Sequence, residues 1–508
     1  MTFLWPARAT NVGEALPAAR RSVGAERYSA TRCAAVLVAL AAIQLPLYAA
    51  IYFVVPQSPQ YTSDPRALLV DRLPLWSAVV GLALPHPTAP TEGLALVAGV
   101  ATGTFACYAA AVEISRRAAV ERVPLWVVPG LVVPFGLLAV LALPNSGSED
   151  VLWYIKEARV ATVYHANPYA FPPAPHAGDP YLQFGLFDRW MQRPIPYGPA
   201  WTLLAVAWQS VVGDDVVRSL LGFRALLFGF NLAAAGLVWA ILGRLAPSHR
   251  LVGLVFFAWN PIVLVHGNDH LDVVMAFLLL LGVYLLLLDR WWLGLVALSL
   301  SALTKFLTAP LVLAHVVASW RRGSWRSAIF GALLAGAIAL LLFAPFLGAG
   351  TSLLLLSREP HNANPGSMFS LERVVFVPPF LALCTWVAGR PQTTTGQLLE
   401  SWAAIMLGFA LFFFPPQYDW YLLAVIAAVA VAGSPRLALL AVALSLSAWT
   451  NYMVGQAGKP YVAFPSILFR LIWWGPPVAV LAWLNGPRVM TLLRRPRTTG
   501  AEPAASDW

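Results

Sequence analysis

The feature that most limits what this chain can fold into is its succession of long apolar runs, separated by short loops that hold most of its basic residues. Of 508 residues, 59% are hydrophobic and only 11% charged, against about 25% charged in an ordinary soluble domain. A soluble fold cannot hide that much apolar surface, so the chain reads as an all-α polytopic membrane protein. Spans of about 20 apolar residues, shorter where a helix is broken, are expected near 33–55, 94–114, 124–144, 219–243, 251–267 and 271–288. A split segment follows at 293–304 and 308–320, then 327–347, 371–388, 398–414, 420–432, 437–452 and 467–485. That makes a bundle of roughly 12–14 crossings.

Loop charges orient the bundle. The net charge of +10 could suggest nucleic acid, but the basic residues sit in short loops between apolar spans, which is the positive-inside pattern. The clusters are Arg8, Arg20, Arg21, Arg27 and Arg32; Arg116, Arg117 and Arg122; Arg244 and Arg250; Arg321, Arg322 and Arg326; then Arg390, Arg436 and the group from Arg488 to Arg497. All fall on one side, the cytoplasmic one, provided that the apolar stretch at 197–213 does not cross and instead lies on or dips into the outer surface. Residues 1–32 then form a cytoplasmic basic tail, 33–485 a single transmembrane domain and 486–508 a second basic tail. The first apolar run is too long for a signal-peptide core and reads as a retained anchor. Leu75 to Leu84 is too short to span and is expected at the surface. Cys33, Cys107 and Cys384 lie within apolar spans without metal-ligand spacing, which argues against a disulfide framework or a cysteine-based metal site.

Ionisable residues at a membrane edge are costly and point to function, and here they gather on the non-cytoplasmic side. The large outer loop, about 145–218, holds Glu149, Asp150, Tyr154, Lys156, Arg159, Asn167, Tyr169, Arg193 and Tyr197. The turn Asn268-Asp269-His270 with Asp272 forms a polar knot between two apolar helices. Lys305 interrupts an apolar stretch just before Pro310, and a broken helix exposes backbone ends that suit ions or phosphates. Arg358 and His361 add charge in a later loop, and Gln417-Tyr418-Asp419-Trp420-Tyr421 in the next. Each has a plainer explanation. Glu149 and Asp150 suit the N-terminus of a helix from Val151, Asn268-Asp269 can cap a helix from Leu271, Lys305 can snorkel, and Arg358 and His361 can be ordinary loop residues. The Tyr418–Tyr421 aromatics read foremost as an interfacial belt. Together, though, they supply carboxylates for a general base, cations for a phosphate and aromatic faces for sugar rings.

The chain resembles the integral-membrane GT-C glycosyltransferases, and among them the bacterial polyprenyl-phosphomannose-dependent mannosyltransferases. The motifs that carry the resemblance run in order from about 145 to 420. They are Glu149-Asp150 leading to Tyr154, Arg159 and Asn167-Pro168-Tyr169; Pro196-Tyr197-Gly198-Pro199 followed by Arg224 at the head of a helix; Asn260-Pro261 through His266 to Asp272; Thr304-Lys305-Phe306; and Tyr418-Asp419-Trp420-Tyr421. The resemblance implies a GT-C-type bundle with surface helices in its large catalytic outer loop. It implies Asp150 as catalytic base with Glu149 beside it, and Lys305, Arg224 and Arg358 near the donor phosphate. Substrate contacts are expected from Tyr154, Arg159, Asn167, Tyr169, Tyr197, Asp269, His270, Asp272 and His361. The implied partners are a polyprenyl-phosphate sugar, foremost mannose, a glycolipid or glycan acceptor and the lipid bilayer. No cofactor is required by the pattern and no metal is assigned, although a divalent cation is compatible with an acidic pair. The chain departs from the family's pattern at Gly267-Asn268-Asp269-His270, which replaces a longer Gly-rich His-Asn-Asp run.

Three other classes share parts of this pattern. A transporter or flippase of a lipid-linked saccharide would also use broken helices and membrane-embedded charge, but the chain shows no internal repeat and its charges crowd one side. A scaffold would not need Asp150, Arg224 and Lys305 together. A lipid-linked phosphotransferase or ligase could use the same architecture.

Overall fold

A computed structural model describes residues 29–54, 89–118, 123–141, 150–173, 179, 181, 194–321, 325–348, 371–390, 392, 394–413, 418–457 and 466–494. Glu149, Arg358, His361 and the segment from Leu75 to Leu84 lie outside them, as do most residues of both tails.

The described elements are helical. In chain order they are α1 (Ala30–Ala49), α2 (Pro90–Arg117), α3 (Val127–Leu141), α4 (Asp150–Thr162), α5 (Pro199–Val212) and α6 (Val216–Leu245). Then come α7 (Arg250–Ala258), α8 (Pro261–His266), α9 (Asp272–Leu287), α10 (Trp291–Thr304), α11 (Ala309–Arg321) and α12 (Trp325–Phe343). The last are α13 (Leu371–Gly389), α14 (Thr395–Phe413), α15 (Leu422–Ala432), α16 (Pro435–Tyr452) and α17 (Ser466–Arg494). Among the described residues 7 helices are long and apolar enough to cross a membrane, and further apolar helices of 10–17 residues lie between them.

Burial sorts these helices into centre and rim. Every residue of α15 is buried. This helix packs against α14, α9, α7, α6 and α16, as expected of one that is apolar all round. By contrast α12 and α17 expose Leu333, Leu340, Leu341, Leu471 and Trp483. Large apolar side chains left open on both helices fit a lipid-facing rim. The protein is therefore an integral membrane protein built as a helical bundle.

Two helix breaks position the polar residues. The apolar run expected as one span over 251–267 is divided at Asn260. The Asn260 side chain accepts from Ile262 N–H at 3.1 Å, and Pro261 opens α8, where its missing N–H costs nothing. The Asn260 amide also donates to Tyr108 Oη at 3.2 Å and Ser445 Oγ at 3.0 Å, which ties the break to α2 and α16. Hydropathy could not show this break because the flanking residues are all apolar.

The second break is the expected one. α10 ends at Thr304, Lys305 is extended (φ −154°, ψ 128°), and a 3-10 turn at Phe306–Thr308 leads into α11. Pro310 falls in the first turn of α11, where proline is tolerated. Ser301 ties the break to α9 and to the turn beyond it: its Oγ donates to Met275 O at 2.8 Å and lies 2.9 Å from Thr308 Oγ1.

Candidate functional site

The carboxylate side of the site is built on α4. Asp150, Tyr154 and Glu157 recur at i, i+4 and i+7 and so share one face. Tyr154 Oη donates to Asp150 Oδ2 at 3.3 Å and accepts from Leu271 N–H at 3.2 Å. His270 Nδ1 lies 3.0 Å from the same carboxylate oxygen. Two consecutive residues of the turn before α9 thus fix Asp150, one directly and one through Tyr154. The His270 ring is stacked on Trp420 with centroids 4.2 Å apart and planes 13° apart. Burial opposes ionisation of Asp150, but the adjacent His270, the Lys305 charge and the Tyr154 hydroxyl together hold its carboxyl below the usual range. Glu157 behaves oppositely: burial, reinforced by the Asp150 charge, pushes its carboxyl well above the usual range. Asp150 keeps 28% of its side-chain surface open while His270 keeps none.

The cations lie across the same turn. Lys305 Nζ reaches both carboxylate oxygens of Asp272, at 2.9 and 2.8 Å. It also sits 3.8 Å from the centre of the Tyr421 ring and 5.9 Å from that of Tyr197, within cation–π reach. Arg224 Nη2 lies 3.3 Å from Asp269 Oδ1, and its Nη1 donates to Ala139 O at 3.0 Å. The expected place of Arg224 at a helix head is corrected: Asp215 caps α6 by accepting from Arg218 N–H at 2.8 Å, so the helix starts earlier and Arg224 lies inside it.

The segments 167–169 and 194–198 pack against these groups. Asn167 Oδ1 accepts from Tyr169 N–H at 3.0 Å, a local turn, while its amide donates to Phe346 O at 2.8 Å. Tyr169 Oη donates to Tyr197 O at 3.0 Å and lies 2.7 Å from Thr202 Oγ1. Tyr197 meets Tyr154 edge-on at 5.5 Å. Gly198 N–H donates to Thr304 O at 3.0 Å, so the Pro196–Pro199 loop is hydrogen-bonded to the last turn of α10. Only glycine allows this approach, since a Cβ at 198 would collide with the Leu303 carbonyl. The Pro-Tyr-Gly-Pro pattern was the sequence signal for that contact. The expected surface helix at 197–213 is α5, which packs on α4, α10, α6 and α12.

Of the described residues expected at the site, the structure brings Asp150, Tyr154, Tyr197, His270, Asp272 and Lys305 together. Asp269 and Arg224 form a sealed pair behind the turn. Asn167 and Tyr169 brace the outer segment. Arg159 stands in a separate cluster, with Asp179 at 2.9 Å, Asp214 at 2.6 Å and the Tyr181 ring at 4.4 Å. Sequence reading had not paired Asp179 or Asp214 with it, because distance along the chain hides the contact. The Trp420 and Tyr421 aromatics, expected foremost as an interfacial belt, instead face His270 and Lys305. Among the described residues no group of three or more His, Cys, Asp or Glu is close enough to hold a metal ion.

Comparison with known proteins gives this arrangement a family. Residues 67–322 match the family model described as alpha-(1->6)-mannopyranosyltransferase, N-terminal domain. Alpha-(1->6)-mannopyranosyltransferase A of Mycobacterium tuberculosis is 33% identical over 190 residues, covering 35% of this chain and 35% of the relative. A probable alpha-(1->6)-mannopyranosyltransferase of Mycolicibacterium smegmatis is 26% identical over 176 residues, covering 34% and 29%. The chain thus aligns with about a third of the length of these relatives. No solved structure matches. The match to residues 67–322 spans half of the 508-residue chain and takes in Asp150, the turn before α9 and Lys305, and by it the chain belongs to the alpha-(1->6)-mannopyranosyltransferase family.

Proposed function

We propose that the protein transfers a mannosyl group from a polyprenyl-phosphate donor to a hydroxyl of a glycan or glycolipid acceptor, on the non-cytoplasmic face of the membrane. The observation that carries the reading is the placement of a partly open Asp150, held by Tyr154 and His270, on the same site as the Lys305 ammonium at a helix break. Asp150 takes the proton of the acceptor hydroxyl as its oxygen attacks the anomeric carbon. The bond from that carbon to the phosphate oxygen breaks with inversion, and the bonding pair leaves with the phosphate. Lys305, presented over Tyr421, meets the charge that grows on the phosphate. Arg224, sealed against Asp269, holds the turn that carries His270. The charge pattern of the loops supports the side: the arginine clusters fall opposite to Asp150 in the threading. The relatives' names support mannose.

The test is incubation of purified protein with a panel of polyprenyl-phosphate sugars and saccharide acceptors, read by mass spectrometry. Consumption of the mannose donor with a mannosylated product is expected. Asp150→Asn should lower turnover about 10²–10⁴-fold while the protein stays folded. Because the Asp150 carboxyl is held low, it stays ionised at neutral and mildly acidic pH, and activity should fall only as pH drops through that lowered value. His270→Ala removes the main group that opposes the effect of burial on Asp150 and should move this acid limb upward. Unchanged transfer by Asp150→Asn, or an acid limb that ignores His270→Ala, would sink the assignment.

A further inference from the structure

The transfer step proposed above uses only the Tyr421 ring of the 3-10 turn at Asp419–Tyr421, yet the turn touches both sides of the site. The Trp420 ring lies flat on His270, which holds Asp150. The next ring, Tyr421, covers the Lys305 ammonium. Two successive side chains therefore face the base side and the cation side in turn. Asp419, which opens the turn, is buried and hydrogen-bonded through Oδ2 to His266 Nε2 at 3.0 Å. His266 is itself fully buried at the end of α8, and its ring meets His270 edge-on at 5.0 Å, Trp420 at 5.7 Å and Tyr452 at 4.8 Å.

A buried carboxylate–imidazole pair is a poor way to hold a short turn between apolar helices. Desolvating such groups offsets most of their attraction, and an apolar pair of the same shape often does as well. What an apolar pair lacks is direction. The hydrogen bond fixes one atom of the turn against one atom of α8, and with it the places of both following rings. We infer that Asp419 and His266 are positioning residues that set the distance between the base side and the phosphate side of the site, through Trp420 and Tyr421.

The kinetic form of this inference rests on the proposed transfer reaction, whereas its structural form does not, so the experiment has two arms. Hydrogen exchange by mass spectrometry compares the full-length protein with Asp419→Asn, His266→Ala and His266→Gln, the last retaining a side-chain hydrogen-bond donor. Faster exchange is expected in His266→Ala at both 268–272 and 303–306, with recovery in His266→Gln. Faster exchange confined to 418–421 overturns the inference whether or not the protein transfers mannose. In the second arm, on wild-type protein shown to transfer from polyprenyl-phosphate mannose, His266→Ala should lower kcat/KM roughly 10²-fold, through both a lower kcat and a higher donor KM. Tyr421→Ala should raise donor KM roughly 2–30-fold and Trp420→Ala should act chiefly on kcat. A lower kcat at unchanged KM in His266→Ala would mean only a smaller folded fraction, and would overturn the inference. A wild-type protein that transfers nothing defeats the reaction and leaves the exchange arm to decide the positioning.

Discussion

Asp269 and Asp272 stand three residues apart at the start of α9, and each faces a cation supplied by another helix. Asp269 pairs with Arg224, and the two side chains are 0% and 2% exposed. Asp272 pairs with Lys305, whose side chain keeps 13% of its surface open and lies between two tyrosine rings. The charge types are the same and the chain separation is one helical turn. Access makes the difference. A sealed pair presents no charge at a surface, while the Lys305 ammonium keeps a small open fraction that another anion could approach. Guanidinium also suits the sealed position, since its several donors reach Asp269 and the Ala139 carbonyl together. A compact ammonium suits the open one.

That comparison can be broken in several ways. Asp269→Ala strands a buried guanidinium and should cost about 3–5 kcal/mol of stability, seen as a fall in the thermal midpoint in detergent; a midpoint within a degree of wild type would show that the pair is not structural. Replacing both partners by apolar residues sharpens the contrast. Arg224→Met with Asp269→Leu should restore most of the stability and keep transfer, because a buried pair is often no better than its apolar equivalent. Lys305→Met with Asp272→Leu should restore stability too, yet lose roughly 10–150-fold in kcat/KM for the donor, about 1.5–3 kcal/mol for a bond to a charged group. Equal kinetics in the two double variants would abolish the distinction. Gly198→Ala tests whether the open pair depends on the outer loop. Its Cβ must push the loop off the Leu303 carbonyl, which should cost about 1–3 kcal/mol and raise donor KM; an unshifted melting curve would rule out the close approach. The smallest effect belongs to Asp214, which is 66% exposed in its contact with Arg159. Asp214→Asn should change stability by about 1 kcal/mol or less and leave transfer intact.

The sequence announced the bundle clearly because span length and hydropathy are local properties. Lys305 and Pro310 likewise gave away the second break, since a charge and a proline stand out in an apolar run. Asn260-Pro261 was quoted as a motif but not as a break, because the apolar residues on either side continue across it. The start of α6 was missed for a similar reason: the Asp215 cap sits between loop-like and apolar residues, and hydropathy alone favours a later start. Partner choice was the least visible. Nothing local says that Arg224 takes Asp269 and Lys305 takes Asp272, or that His270 reaches Asp150 across more than a hundred residues. Trp420 and Tyr421 show the same limit, for an aromatic cluster at a span's end looks alike whether it faces headgroups or a folded site.

The three helices that end at this turn are short. α9 has 16 residues, α10 has 14 and α15 has 11, so at 1.5 Å per residue they reach about 24, 21 and 17 Å. The hydrocarbon layer that the long rim helices cross is about 30 Å thick. Each is shorter than that thickness, so the polar turn and the far ends of these three helices cannot both reach the headgroup level of an unthinned bilayer. On the proposed reading, a lipid phosphate would descend to Lys305 along protein rather than rise into water. Local bilayer thickness, set by acyl-chain length, becomes a control on how deep that descent is.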